Sequence, residues 1–306
     1  MTGLVRAIAI VVCASPILPA ALSAQDAAAR LEVANGLELN DGKRREAAVI
    51  YREVLAKDPG SFDAHLGLGR ILVVEGQIAE GRQHLEKAVA AASDAQRNSA
   101  LSALAIASVF DANAAAAAKY YQQVFESQRN AGAMSPAANT ANALGRALLE
   151  TGDLDGAEKW YRTGYETSKA IQNVPPEEAD IWEMRWRHAQ GRLAARRRQF
   201  DAARTHMAAV DALVAKGTLP ENQRTFAPQL AGYVAFHQER YDEAIAALAQ
   251  ADQRDPFVLG LLAQAHERKK DTVKARALYA EVLARPGFSL QMALMRPLAA
   301  RRLAAK

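Results

Sequence analysis

The chain has 306 residues, half of them hydrophobic and only 6% aromatic, with 38 basic against 34 acidic side chains. That is enough to bury a large core, either in one or two ordinary domains or in one elongated array. A formal charge of +4 is too even for nucleic-acid binding over the whole molecule; abundant alanine and the lack of β-branched runs beyond the first 20 residues favour helix over sheet.

Residues 1–24 carry one cation at Arg6, an apolar stretch, and small residues before Gln25-Asp26, the layout of a secretory signal peptide. Pro16 and Pro19 cut the apolar run below the roughly 20 residues a bilayer span requires. Cleavage after Ala24 is therefore expected rather than a retained anchor, and the mature chain, 25–306, is expected to be secreted into a periplasm with no stable membrane span. Cys13 is the only cysteine. Val12 before it and its early position argue against lipidation, so the mature chain has neither disulfides nor thiolate ligands.

From residue 28 the sequence repeats itself with a period typical of solenoids. Leu68 to Gly76 and Leu144 to Gly152 match at five positions, and Tyr51 to Ala56 returns near the far end as Tyr279 to Ala284. Extending these anchors predicts seven helix pairs, over roughly 28–61, 62–97, 98–137, 138–178, 179–224, 225–255 and 256–286. In each, a small residue of the first helix is followed twelve positions later by a small residue of the second: Asn35/Ala47, Gly69/Gly81, Ala105/Ala117, Gly145/Ala157, Gly191/Ala203, Gly232/Ala244 and Ala263/Ala275. Asn35 is the one poor fit. Four residues past each second member stands a large apolar side chain: Tyr51, Leu85, Tyr121, Tyr161, Met207, Leu248 and Tyr279. Small residues at facing positions let antiparallel helices approach closely, while the bulky ones build the stripe that packs on the next pair. Gly42, Gly76 and Gly152 mark turns inside pairs, and Asp58-Pro59 and Asp255-Pro256 end second helices.

Successive second-helix anchors are 34, 36, 40, 46, 41 and 31 residues apart, so the middle units are lengthened. The longest step contains the helix stop Asn173-Val174-Pro175-Pro176, and the next contains Lys216-Gly217 and Pro220. After Pro286 a capping helix is expected over 287–306, bent at Pro297. Its cations Arg296, Arg301, Arg302 and Lys306 lack acidic neighbours in sequence and predict a solvated end.

These features resemble the tetratricopeptide repeat family over about residues 28 to 286. The resemblance rests on the Leu-Gly pairs Leu68-Gly69 and Leu144-Gly145, the small residues Ala47, Ala157 and Ala244, the aromatics Tyr51, Tyr161 and Tyr279, and the closing Pro59 and Pro256. It implies an all-α, α-α superhelix whose first helices line a concave groove. Transferred onto this chain, the groove positions are Asn139, Asn142 and Arg146 in the fourth unit, Arg185, His188, Arg192 and Arg196 in the fifth, and Phe226, Tyr233 and Phe236 in the sixth. Helical geometry puts Arg185, Arg192 and Arg196 on one face. Guanidinium forks suit carboxylates and phosphates, and asparagine amides can hold an extended peptide, so an acidic peptide with an apolar anchor, or a C-terminal carboxylate, fits such a surface. The bland alternative is a solvated basic face over core aromatics. Trp160, Trp182 and Trp186 read as core of the enlarged middle units. Arg196-Arg197-Arg198 spread around their helix, so no nucleic-acid partner is expected.

Catalytic signals are weak. The six histidines lie on separate helices without an HExxH pair, so no metal or other cofactor is expected. Gly67 to Arg70 resembles a phosphate loop but lacks its lysine; no GxSxG elbow occurs; and Glu177-Glu178-Asp180 follow Pro175-Pro176 as first-turn anions of a helix. The expected function is a non-catalytic protein-interaction scaffold in the cell envelope. The rivals are an envelope-polysaccharide or cell-wall enzyme on a helical superhelix and a self-assembling structural repeat. Oligomeric state is left open.

Overall fold

The computed structural model describes residues 24–39 and 42–305. The signal-peptide expectation, with Arg6, Cys13, Pro16 and Pro19, falls on residues outside that range, as does Lys306. Among the described residues there are sixteen helices and no strand. Seven antiparallel pairs follow the chain: α1 (Ala24–Leu39) with α2 (Arg44–Lys57), α3 (Phe62–Val74) with α4 (Ile78–Ala91), α5 (Asp94–Phe110) with α6 (Ala114–Asn130), and α7 (Met134–Thr151) with α8 (Leu154–Lys169). Next come α9 (Pro176–Arg196) with α10 (Phe200–Ala215), then, after the single turn α11 (Glu221–Arg224), α12 (Phe226–His237) with α13 (Tyr241–Leu248). The pair α14 (Pro256–Arg268) and α15 (Thr272–Ala284) precedes the last helix, α16 (Leu290–Ala304).

The twelve-residue spacing marks the closest helix approaches. A Cβ added to Gly69 would lie 2.8 Å from Leu85 and 2.9 Å from the Gly81 carbonyl, and one added to Gly232 would lie 2.5 Å from Leu248. Only a residue without a side chain leaves room there, and the bulky residue four positions on fills the space that remains. Tyr51, Leu85, Leu248 and Tyr279 are accordingly buried. At Asn35 the amide is also used: its Oδ1 accepts from the Tyr51 hydroxyl at 2.8 Å.

Among the described residues, every turn within a pair has one left-handed residue, followed by an amide that reaches back to the end of the preceding helix. Gly76 has φ +89°, and Gln77 N donates to Leu72 O at 2.8 Å; Gly152 has φ +103°, and Asp153 N donates to Leu148 O at 2.9 Å. Ala112, Arg198, Glu239 and Lys270 take the same conformation at the equivalent turns without being glycine.

The middle units are longer, as their spacing predicts. α9 runs for 21 residues from Pro176 at its first turn, with Glu177 and Glu178 beside its N-terminus. Trp182 is buried, Trp160 meets Phe125 edge-on, and Trp186 stacks on Tyr165.

The expectation of a solvated C-terminal end is corrected. α16 packs on α5, α7, α14 and α15. Leu290, Met292 and Ala293 join a core built from α3, α5, α7 and α9, while Met295 and Ala299 join the core of the later pairs. Burial of Leu290, Met292 and Met295 contributes about 1.5–3 kcal/mol each, which a fraying end would forgo. Phe288 stacks on Phe110, and Arg296 donates to main-chain carbonyls of Val74 and Leu283. Arg302 pairs with Glu267, a carboxylate invisible in local sequence because it stands on α14. Arg301 is exposed. Pro297 lies inside α16 without ending it.

Candidate functional site

The fourth, fifth and sixth pairs turn their first helices, α7, α9 and α12, toward the same interior, and α16 runs along it. The ten residues predicted for the groove divide between two adjoining clefts.

The first, about 290 Å³, is lined by seven of them: Asn139, Asn142, Arg146, Arg185, His188, Arg192 and Phe226. Tyr161 of α8 and Leu290 and Gln291 of α16 complete its wall. At the rim, Arg185 donates Nη1 to Asn139 Oδ1 at 3.1 Å and its guanidinium lies over the Trp182 ring. Asn139 is exposed, its amide donating to the Ser135 carbonyl. Deeper in, Arg192 is only 6% exposed and donates Nη2 to the Tyr161 hydroxyl at 2.8 Å. His188, 4% exposed, meets Phe226 edge-on. Burial, then the fields of Arg192 and Arg146, hold its imidazole well below the ordinary value, so it is neutral. Arg146 lies over the Phe257 ring and forms no hydrogen bond or ion pair among the described residues. Burial, then the neighbouring Arg192, holds its guanidinium below the usual range.

The second cleft, about 250 Å³, takes the other three, Arg196, Tyr233 and Phe236, together with Glu150, His237 and apolar side chains of α14 and α16. Glu150 is its hub. It accepts from the Tyr233 hydroxyl at 3.2 Å and from Arg196 Nη1 at 3.4 Å, and stands 3.8 Å from Arg192 Nη1. His237 packs on the Tyr233 ring, and burial, then Arg196, lowers it to about 4.

Arg185, Arg192 and Arg196 thus do face one side of α9, toward α7. That side is not an open basic surface: Arg192 and Arg196 share Glu150, and Tyr233 is buried. Sequence reasoning missed Glu150, although it stands four residues after Arg146 on the same helix face, and it missed Leu290 and Gln291 because nothing local announces that the last helix returns to the middle of the array. Among the described residues no cluster of His, Cys, Asp and Glu suited to a metal ion occurs, and no helix is long and apolar enough to cross a membrane.

A run of paired helices with a residue-lined interior defines a superhelical repeat scaffold. Two tetratricopeptide repeat models match the sequence, one over residues 38–104 and the other over 102–171 and 230–289. Together they span well over half of the chain, which belongs to the tetratricopeptide repeat family. Among solved structures, a tetratricopeptide repeat protein from Parabacteroides merdae is similar at 11% identity and TM-score 0.55, covering 91% of this chain and 98% of that one. The pilF protein of Pseudomonas aeruginosa matches at 17% identity and TM-score 0.48 over 83% of this chain and 97% of its own. A chain of the APC/C Cut9-Hcn1 hetero-tetramer matches at 16% identity and TM-score 0.45, over 92% of this chain and 48% of that one. At 11% identity the likeness to the first of these is one of fold. No curated protein matches the sequence.

Proposed function

We propose that the chain is a non-catalytic adaptor of the cell envelope, exported to the periplasm, that holds an acidic segment of a partner protein along its interior. Membership of the repeat family supports interaction as the class of function. The observation that carries the choice of partner is the rim of the first cleft, where exposed Asn139 and the Arg185 guanidinium stand together at the entrance to a wall containing three arginines and, among the described residues, no carboxylate. An amide beside a guanidinium can hold both a peptide backbone and an acidic side chain.

The test uses the rim, because Arg192 and Arg196 are tied to Glu150 and their removal perturbs folding. Affinity capture from envelope extract with the unaltered chain and with the Asn139→Asp, Arg185→Glu pair should recover a partner with the first and lose it with the second. Recovery of the same partners by both would refute the rim assignment. Fractionation of cells expressing the full chain should place it in the periplasm; retention in the cytoplasm would refute the envelope setting.

A further inference from the structure

We propose that the cleft between α7, α9 and the start of α16 is a site for a small free molecule carrying an oxyanion, either a phosphate or a carboxylate group. This goes beyond the adaptor reading and requires no partner protein.

The charge inventory is the first reason. Three guanidinium groups, Arg146, Arg185 and Arg192, line the cleft, and no carboxylate among the described residues lines it with them. The acids nearby are already engaged: Glu150 serves Arg196 and Tyr233 in addition to Arg192, and Asp255 accepts from Phe257 N at 2.8 Å and from Gln229. A buried cation without a counter-charge is costly, and Arg146 has none within ion-pairing distance among the described residues.

Unpaired polar atoms are the second reason. The guanidinium donors Nε and Nη2 of Arg146 and Nε and Nη1 of Arg192, together with Nε2 of His188, are buried and make no hydrogen bond among the described residues. Native proteins rarely leave so many buried polar atoms unpaired at one place, and a missing ligand is one of the few explanations. Arg192 and His188 are both more than nine-tenths buried, so a group must enter the cleft to engage them. The first two residues of α16, Leu290 and Gln291, also lie in the wall and bring the positive end of that helix to the same place.

Size and lining give the class of ligand. About 290 Å³ is near the lower end for small-molecule pockets and has no room for folded chain. An arginine fork takes two oxygens of a phosphate or carboxylate. The amides of Asn139 and Asn142 offer further polar contacts, and the Phe226 ring borders an apolar body. Because α7, α9 and α16 all contribute, the bound anion would join the middle of the array to its last helix.

Thermal denaturation and calorimetric titration of the purified protein test this, with inorganic phosphate and with succinate, each against chloride at equal ionic strength. At least one of the two oxyanions is expected to bind and raise the melting temperature where chloride does not. Arg146→Met should weaken that binding by about tenfold or more, while leaving the anion-free melting temperature unchanged or higher because a buried charge is removed. Arg185→Gln, at the rim, should weaken binding by about threefold to tenfold without unfolding the chain. Failure of both anions to bind, or unchanged affinity in either variant, overturns the proposal. A peptide offered with a free or an amidated C-terminus separates the remaining source of carboxylate: a response to the free-ended peptide alone assigns the cleft to a protein partner and also overturns it. Loss of partner capture in the rim variant bears on the adaptor reading only, so the two can fail separately.

Discussion

Arg296, in the last helix, donates Nε to the carbonyl oxygen of Val74 at 2.9 Å, across 222 residues of chain. The contact closes the curve of the array by joining α16 to the end of α3. A second bond from the same guanidinium reaches the carbonyl of Leu283. Burial, then the charge of Arg44, lowers Arg296 to about 10, which still leaves it charged at neutral pH. Arg296→Met leaves two main-chain acceptors without their donor and should cost about 1–3 kcal/mol. A lower urea midpoint with an unchanged denaturant slope would register this as loss of stability rather than a change of unfolded state.

Among the described residues, Glu150 is the one carboxylate shared by Arg192 and Arg196 and by the Tyr233 hydroxyl. Removing one partner of a buried charged network typically costs about 3–5 kcal/mol, because the others are left without compensation. Glu150→Ala should therefore be among the most damaging single changes in the chain, and far more so than Glu166→Ala, whose partner Lys169 forms an exposed surface pair. Paired urea titrations of the two variants measure the contrast.

Four turns within pairs hold a non-glycine residue at positive φ, with Glu239 and Lys270 both at +63°. That conformation strains an L side chain by roughly 1 kcal/mol. Glu239→Gly and Lys270→Gly should each raise stability by a few tenths to about 1 kcal/mol despite the greater freedom glycine has in the unfolded chain. Gly152→Ala, at φ +103°, should lower it by more than that. Thermal melting of the three variants gives the sign of each.

The same turns show what was legible in the sequence. Gly42, Gly76 and Gly152 announced three of them, whereas Ala112, Arg198, Glu239 and Lys270 carry no turn chemistry and were placed only by the repeat around them. The pairing of helices was readable because close approach leaves a local mark: Gly69 beside Gly81, and Leu85 four residues on, are constrained by each other. α16 left no comparable mark. Arg296 and Arg302 find partners on α3, α14 and α15, which are distant in the chain, so a helix that looks like a solvated end by its neighbours in sequence is a wedge by its neighbours in space. For the candidate site, helical spacing placed the arginines on one face, but which of them are neutralised depends on Glu150 and on tertiary packing.

Acid should weaken the fold. Burial, reinforced by nearby cations, holds His188 well below the ordinary imidazole value and His237 at about 4; burial also lowers His84, next to His65, and His206, next to Arg187. In each case the folded value lies below the unfolded one near 6.5, so the unfolded chain takes up protons first as pH falls. Stability is therefore fully present above about pH 6.5 and is lost as pH drops toward the folded values. His237 alone should account for roughly 1–2 kcal/mol between pH 7 and pH 5. Urea midpoints at pH 7.5 and pH 5.0 should show the fall, and His237→Phe, between the Tyr233 and Phe236 rings, should flatten it.

The closure of the array on its own last helix is tested most directly by a distance. With Cys13 replaced by serine, spin labels placed at the exposed positions Glu75 and Ala300 sit on either side of the contact between Arg296 and Val74. Pulsed electron resonance should return a single narrow separation on the order of 20 Å, given one helical turn from Arg296 to Ala300 and the reach of the labels. A broad distribution at long separations would mean that α16 does not return to α3 and would contradict both the closed interior and the cleft it completes.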